Sequence, residues 1–509
     1  MSYHLLTGAT GLLGRYLIKD LVQADIPVAV IVRPTRRASA RHRMEAAMQY
    51  WEEQLGKCLP RPVVLEGDIS EPDLGLDPRS LRWVSENCDT MLHNAASLTF
   101  YSTGPEAEPW RSNVEGTRHV LDLCRETGIQ HFHHVSTAYV CGLRTGRILE
   151  SELDVGQTPS NDYERSKIQA EQMVRSADFL KSLTVFRPAI IIGDAVNGYT
   201  TTYHGFYAPL SLITTLVSME HRNETGHIYS SGRFRLEGFE TKNLVPVDWV
   251  SAVMAYVVSH PQHHGQTYHL TPRIPITMRL FADVMEQATG WYGVNFLGPN
   301  AQIENMTEQE QMFHDLISIY NSYWRDDPTF DSTNTQTVAP HLPCPHVDRS
   351  MLLMMSEWAR SVNFGTPRVK VSEPEFDTQK HFDPLVEAGA KLPVSEKLVE
   401  IGLDVTGHGG GQWRVEVSDG LVVGAAVGLA ERCNATLHLD ADTFATLIEG
   451  QTSAHQAVQA GRIRVTGRQT ANDELLDILQ QAARPLKARL GEQRTSPAPS
   501  DGASPREAG

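Results

Sequence analysis

No run of residues in this chain is apolar for long enough to cross a bilayer. A spanning helix needs roughly 18–20 consecutive apolar residues, whereas the longest candidate, Leu421 to Ala430, is ten residues long and carries two glycines. Cysteine is scarce as well. Cys58, Cys88, Cys124, Cys141, Cys344 and Cys433 are the six among 509 residues, with no Cys-x-x-Cys spacing. That excludes a disulfide scaffold and predicts buried thiols in a reducing cytosol. Positive charge is in deficit, with 45 Lys and Arg against 61 Asp and Glu for a net charge of −16. Nucleic acid needs a basic face, so this balance argues against it as a partner. No secretory signal is expected, because a glycine motif already begins at residue 8. What is there is a globular composition, 41% hydrophobic and 21% charged. The chain is too long for one ordinary core, which predicts two or three domains.

The glycines organise the start of the chain. Leu5-Leu6-Thr7-Gly8-Ala9-Thr10-Gly11-Leu12-Leu13-Gly14 is an apolar run entering a Gly-x-x-Gly-x-x-Gly turn, and a helical pattern at Leu13, Leu17 and Leu21 follows. The early glycines let the backbone turn tightly and approach a pyrophosphate, while Gly14 lets the helix pack close to the strand. The helix N-terminus offers unpaired N–H groups and a partial positive charge to that anion. Glycine-rich turns are common in themselves. A strand before and a helix after give this one its meaning.

Val28-Ala29-Val30-Ile31-Val32 is a continuous apolar, β-branched run, as expected of a parallel strand covered on both faces. At its end, where NAD-specific folds carry an acid for the ribose 2′-hydroxyl, stands Arg33, followed by Arg36, Arg37, Arg41 and Arg43. A guanidinium forks onto a 2′-phosphate that an acid would repel. This favours NADPH over the plainer reading of a solvated arginine-rich loop. Val63-Val64-Leu65 ends in Gly67-Asp68-Ile69, which could flank an adenine. Thr90-Met91-Leu92-His93 ends in Asn94-Ala95-Ala96, small enough for a cofactor to lie against the backbone. Strand, small-residue turn and helix, repeated, predict an α/β fold with a doubly wound parallel sheet.

The chemistry falls on the next strand. His131 to Tyr139 ends with Ser136 and Thr137 near the carboxyl edge of the sheet, where ligands bind in such folds. Twenty-six residues beyond Thr137 comes Tyr163-Glu164-Arg165-Ser166-Lys167. Tyr and Lys four apart share one helix face. A nearby ammonium is expected to lower the phenol from its usual value near 10 and tune it for proton exchange with a carbonyl oxygen. Any helix can carry such a pair by chance; its place after the glycine turn, Arg33 and Asn94-Ala95-Ala96 gives it weight.

Together these motifs, over the first 275 or so residues, resemble an extended short-chain dehydrogenase/reductase. The resemblance implies a Rossmann sheet binding NADPH, with Thr137, Tyr163 and Lys167 as the catalytic trio and Ser136 as the alternative hydroxyl. Asn113, in Ser112-Asn113-Val114-Glu115-Gly116-Thr117, matches a family helix that supports the site. The implied cofactor contacts are Gly8, Thr10 to Gly14, Arg33, Arg43, Asp68, Ile69, Asn94, Ala95, Ala96, Tyr163 and Lys167. Pro188 and Ile190 join them from Phe186 to Gly193, which resembles the strand and loop under the nicotinamide. Asn243-Leu244-Val245-Pro246-Val247-Asp248-Trp249-Val250 resembles a segment of fatty acyl reductases and of the thioester-reductase domains of peptide synthetases and carboxylic acid reductases. The implied function is NADPH-dependent reduction of an acyl thioester, on coenzyme A or an acyl carrier protein, to aldehyde or alcohol. A dehydrogenase of a sterol or long-chain hydroxy-lipid, and a non-catalytic lipid-transfer or cofactor-sensing protein, remain as alternatives.

Beyond residue 275 the pattern predicts a helical substrate lobe over 276–365, with helices at Met278 to Thr289, at Phe313 to Tyr320, and one that Trp358, Val362 and Phe364 end before Gly365. Pro340 to His346 holds two histidines and a cysteine, but its three prolines make it a loop rather than a metal site. Residues 366–395, polar and proline-rich, read as a linker. A small α+β domain is expected over 396–490. Its elements are strands at Gln412 to Val417, Leu421 to Gly424 and Cys433 to Leu439, helices at Ala441 to Glu449 and Ala454 to Ala460, a strand at Arg462 to Val465 and a helix at Glu474 to Ala483. Asp419-Gly420 suits a hairpin turn, and Asp440 an N-cap. Gly407 to Gly411 lacks a Gly-Lys-Ser/Thr ending and reads as a turn. From Leu437 through Gly467 this order resembles the sterol-carrier-protein lipid-binding domain, which implies a lipid ligand. The tail from Gly491 reads as disordered.

Overall fold

The computed structural model describes residues 2–219, 227–318, 323–366, 374, 376–389, 399–418, 421–430 and 433–467. The chain forms two compact units. One comprises Ser2–Ala47 with Val64–Val371; the other gathers Met48–Val63 with the chain from Ser372.

The larger unit is built on seven strands: β1 (Tyr3–Thr7), β2 (Val28–Val32), β3 (Val63–Glu66), β4 (Cys88–His93), β5 (His131–Val135), β6 (Ser182–Pro188) and β7 (Thr267–Leu270). Their order is β7-β6-β5-β4-β1-β2-β3. β1 pairs with β2 and β4, β4 with β5, β5 with β6 and β6 with β7, all in parallel. Every residue of β2 is buried, because helices cover both faces of such a sheet. Among them are α1 (Leu12–Gln23), α3 (Pro78–Asn87), α4 (Gly116–Thr127) and α5 (Asp162–Arg175), while α2 (Ala40–Leu55) follows β2 in sequence. α1 buries Leu13, Tyr16, Leu17 and Leu21, the predicted periodicity. The strand order reverses around β1, so the crevice between the carboxyl ends of β1 and β4 is a topological switch point, where ligands bind in open α/β sheets.

A second core supports the far wall of that crevice. It joins α6 (Tyr207–Met219), α8 (Met278–Thr289), α9 (Glu308–Ile317) and α11 (Arg349–Ser361) with the parallel strands Ile228–Phe234 and Trp291–Phe296. Between them in sequence lie α7 (Val247–Val258) and α10 (Thr333–Val338). The lobe therefore draws on the stretch between β6 and β7 as well as on residues past 276. α8 has its predicted bounds, fixed by Thr277, whose side chain accepts from the Leu280 N–H, and by left-handed Gly290. α9 begins five residues before the predicted Phe313, because Thr307 caps it.

The smaller unit contains β8 (Val399–Thr406), β9 (Gly411–Ser418), β10 (Leu421–Val427), β11 (Ala435–Asp440) and β12 (Arg464–Gly467), in the order β10-β9-β8-β11-β12. With helices α13 (Ala441–Ile448) and α14 (Ala454–Gln459) they make the predicted α+β domain. Two corrections belong here. β8 is the central strand and was not anticipated, since its pattern Glu400-Ile401-Gly402-Leu403-Asp404-Val405 is broken by a glycine. The expected linker contains a helix, α12 (Thr378–Gly389), whose Phe382 and Val386 enter the domain core and outweigh its polar composition. The rest of that linker (367–373, 375 and 390–395), residues 396–398, the Asp419-Gly420 turn, the helix expected at Glu474 to Ala483 and the tail lie outside the described residues.

The thiols are less uniform than expected. Cys88, Cys124 and Cys141 are buried, Cys344 and Cys433 half-buried, and Cys58 exposed. No described helix is long and apolar enough to cross a membrane.

Candidate active site

The glycine turn and the loop after β4 meet at the switch point. Gly8 sits at φ +75°, and a Cβ there would lie 2.7 Å from the Ala95 nitrogen; one at Gly14 would lie 2.1 Å from the Gly8 oxygen. Both positions exclude any side chain. Gly11 is less constrained sterically, and it starts α1 with no side-chain capping bond. The Thr7 hydroxyl joins the two loops: it contacts His93 Nδ1 at 2.8 Å and accepts from the N–H groups of Asn94 and Ala95, both at 3.2 Å. His93 is completed by the Thr117 hydroxyl at 3.0 Å, and burial pushes it down to about 3, so it is a neutral strut. Sequence reasoning missed Thr7 and His93. Their signal was the polar residue ending each of two strands, directly after the apolar pairs Leu5-Leu6 and Met91-Leu92.

A cavity of about 690 Å³ opens along this crevice. Of the residues implied for cofactor or catalysis, all but Gly14 and Asn113 line it. Gly14 instead seats α1 against the turn. Asn113 is buried and bridges: its Oδ1 accepts from the Ser97 N–H at 2.7 Å, and its Nδ2 donates to Ser97 O (3.1 Å) and Ser166 Oγ (2.9 Å). It ties the loop after β4 to α5, so its part is positional.

Arg33 is largely exposed and reaches Asp68 Oδ2 at 3.4 Å. Arg43 donates to Thr10 Oγ1 at 2.9 Å and to the Arg33 carbonyl. Arg41 and Arg43 belong to helix α2, not to the loop the composition suggested.

Tyr163 and Lys167 project from the first turns of α5, which Asn161 caps by accepting from the Glu164 N–H at 2.9 Å. The Thr137 hydroxyl stands close enough to the Tyr163 phenol to lower its pKa, while Ser136 faces Glu171. Thr137, not Ser136, is therefore the hydroxyl beside Tyr163. One expectation is corrected. Burial dominates and pushes the phenol up to about 12, and the lysine does not offset it. Lys167 Nζ donates instead to Val135 O at 2.7 Å, and burial brings its ammonium down to about 8, opposed by Glu171. Tyr163 is thus held as a neutral phenol.

Two sequence segments singled out independently meet here: Leu244–Pro246 pairs in parallel with Ile190–Ile192. Lys242 and Tyr139, at the cavity wall, both engage Asp327, at 2.7 and 2.6 Å. Leu98, Phe100, Phe206, Pro209, Phe281 and Trp324 give much of the remaining wall an apolar, aromatic character, with Thr202 and His204 among them.

Comparison with known proteins agrees with this geometry. Residues 6–254 match the NAD-binding family described as "Male sterility protein". The chain is 26% identical over 283 residues to the nonribosomal peptide synthetase asaC of Aspergillus flavus, covering 53% of this chain and 26% of that protein. It is 29% identical over 210 residues to the putative fatty acyl-CoA reductase CG8306 of Drosophila melanogaster, covering 39% of this chain and 38% of that one. The chain thus spans well under half the length of these relatives. The terminal R domain from the myxalamid PKS-NRPS biosynthetic pathway superposes with a TM-score of 0.57 at 26% identity, over 72% of this chain and 92% of that one. Residues 393–485 match the family described as "Alkyl sulfatase C-terminal", a different description from the expected sterol carrier protein. Over residues 6–254 the chain is thus similar to an NAD-binding family and to reductase-type domains.

Proposed function

We propose that this protein is an NADPH-dependent reductase of acyl thioesters, carried on coenzyme A or an acyl carrier protein, yielding aldehyde or alcohol. The observation that carries the reading is the gathering of Thr137, Tyr163 and Lys167 on the wall of one cavity that begins at the glycine turn and ends in aromatic side chains. The similarity to an R domain and to a putative fatty acyl-CoA reductase supports it.

The residues present fit a dinucleotide. Gly8 and Gly14 keep the turn free of Cβ atoms, the N-terminus of α1 faces the cavity through Gly11, Leu12 and Leu13, and Arg33 and Arg43 stand at the mouth. A 2′-phosphate would be held by the two guanidinium groups, with Arg33 released from Asp68. NADPH, when bound, supplies the hydride that reduces the carbonyl carbon. Tyr163 donates its proton to the developing oxyanion, and the Thr137 hydroxyl holds the same oxygen. Lys167, anchored to Val135 O, would hold the ribose of a bound cofactor and supply a positive charge there. The aromatic wall takes an apolar acyl chain and excludes water.

The small unit is proposed to bind a lipid and so raise the local concentration of a poorly soluble substrate or product. The full account is tested by offering purified protein an acyl-coenzyme A with NADPH or NADH and assaying free thiol. Thiol release with NADPH supports it. Oxidation of a sterol or hydroxy-lipid with no thioester reduction sinks it.

A further inference from the structure

Reducing a thioester needs two proton transfers with different destinations. The carbonyl oxygen takes one when the hemithioacetal forms. The sulfur takes another when the carbon–sulfur bond breaks. Tyr163 can serve the first and then receive the hydroxyl proton back during collapse, but that return leaves the departing sulfur without a donor. The cavity wall holds a second phenol that the proposed mechanism does not use.

Tyr323 lines the same cavity. Phe100 packs against both phenols, with ring centroids 6.1 Å from Tyr163 and 5.2 Å from Tyr323, and Tyr139 meets Tyr323 edge-on at 5.6 Å. The Tyr323 hydroxyl accepts from Asn161 Nδ2 at 3.2 Å and lies within hydrogen-bonding reach of Glu164. Asn161 is the cap of α5, the helix that carries Tyr163. Behind Tyr323 lies Glu164, the residue next to Tyr163, with no exposed surface. Its Oε2 accepts from the Ser160 N–H at 2.7 Å, whereas its Oε1 is buried without a partner of ordinary hydrogen-bond geometry. Tyr323 is close enough to couple to that carboxyl. Burial raises Glu164, against the Ser160 bonds and the charge of Arg325. An unpaired buried carboxyl oxygen is costly when ionised and far less so when protonated.

We propose that Tyr323 is the acid that protonates the departing thiolate, resupplied by the Glu164 carboxyl. The inference rests on the thioester reading above. In the step, the carbon–sulfur bond of the hemithioacetal breaks and its electron pair goes to sulfur. The Tyr323 proton forms the new S–H bond, and Glu164 reprotonates Tyr323. The hemithioacetal hydroxyl gives its proton to the Tyr163 phenolate as the carbonyl re-forms. The proton lost from Glu164 is replaced from solvent, which accounts for the one proton a thioester reduction consumes. Reduction of an aldehyde to an alcohol breaks no carbon–sulfur bond and has no use for Tyr323.

That difference supplies the test. The full chain carrying Tyr323→Phe is offered dodecanoyl-coenzyme A and, separately, dodecanal, with NADPH oxidation and thiol release followed together. Thiol release is expected to slow by about 10²-fold, at the lower end of the range for a positioned acid. It should lag behind a burst of NADPH oxidation, while dodecanal reduction and NADPH binding by fluorescence stay within about twofold of the parent, a margin well inside a single acid's contribution. Glu164→Gln provides the second variant should Tyr323→Phe fail to fold: it is expected to slow the coenzyme A ester more than an S-phenyl thioester, whose thiolate leaves without an acid. A cofactor-free readout uses dodecanal and coenzyme A alone, where the parent should accelerate hemithioacetal exchange by NMR and Tyr323→Phe should not. Equal losses on thioester and aldehyde, or no loss on either, overturn the proposal. A parent protein that reduces neither substrate removes the thioester reading itself.

Discussion

The two units solve opposite problems with the same kinds of residue. In the larger one, aromatic side chains such as Phe100, Phe206 and Phe281 line about 690 Å³ of open space, and ionisable groups stand among them. In the smaller one, Trp413 is fully buried and stacked on Phe382 at 4.8 Å, with Phe444 at 5.5 Å from Phe382, so the aromatics fill the interior. Phe382 comes from α12, a helix outside the sheet's own run of chain. An apolar interior is thus a wall in one unit and a filling in the other.

The comparison breaks first at Tyr163. Tyr163→Phe removes the proton donor and should lower thioester turnover by about 10²–10⁴-fold while leaving NADPH binding intact; unchanged turnover would dissolve the distinction between the units. Trp413→Ala is the matching change in the filled core and should cost about 3–5 kcal/mol there, read by denaturant unfolding. Reduction of a soluble short-chain thioester should persist, and its loss would mean that the filling also serves the chemistry. Arg33→Ala sharpens the cofactor end. Losing a charged hydrogen bond of about 1.5–3 kcal/mol should raise the KM for NADPH roughly 10–100-fold and leave NADH unaffected; equal losses would contradict the 2′-phosphate assignment. The smallest effect is in pH. Lys167 is held down to about 8 by burial, so its ammonium is present below that value and lost above it. The kcat/KM profile should fall on the alkaline side with an apparent value near 8, and a flat profile through 9 would mean that the charge of Lys167 is idle.

Much of the larger unit was legible because its rules are local. The Gly8 to Gly14 turn, the buried run of β2 and the Tyr163–Lys167 spacing each declare a strand end or a helix face within a few residues. What stayed hidden depends on groups far apart in sequence. Thr7 and His93 belong to one strut only after β1 and β4 pair. Tyr323 and Glu164 meet across 159 positions of chain. The phenol was expected to be acidified by Lys167, yet burial wins, because desolvation depends on everything packed around the group. In the smaller unit the polar composition around α12 concealed two core residues, Phe382 and Val386. Composition averages over a segment, whereas packing selects single side chains.

The most direct measurement is parallel assay of NADPH oxidation and free thiol with purified protein and a long-chain acyl-coenzyme A. The account predicts that thiol appears in step with NADPH loss, one thiol for each one or two NADPH according to whether aldehyde or alcohol is the product. NADPH loss without thiol, or activity confined to NADP⁺ and a hydroxy-lipid, would contradict it.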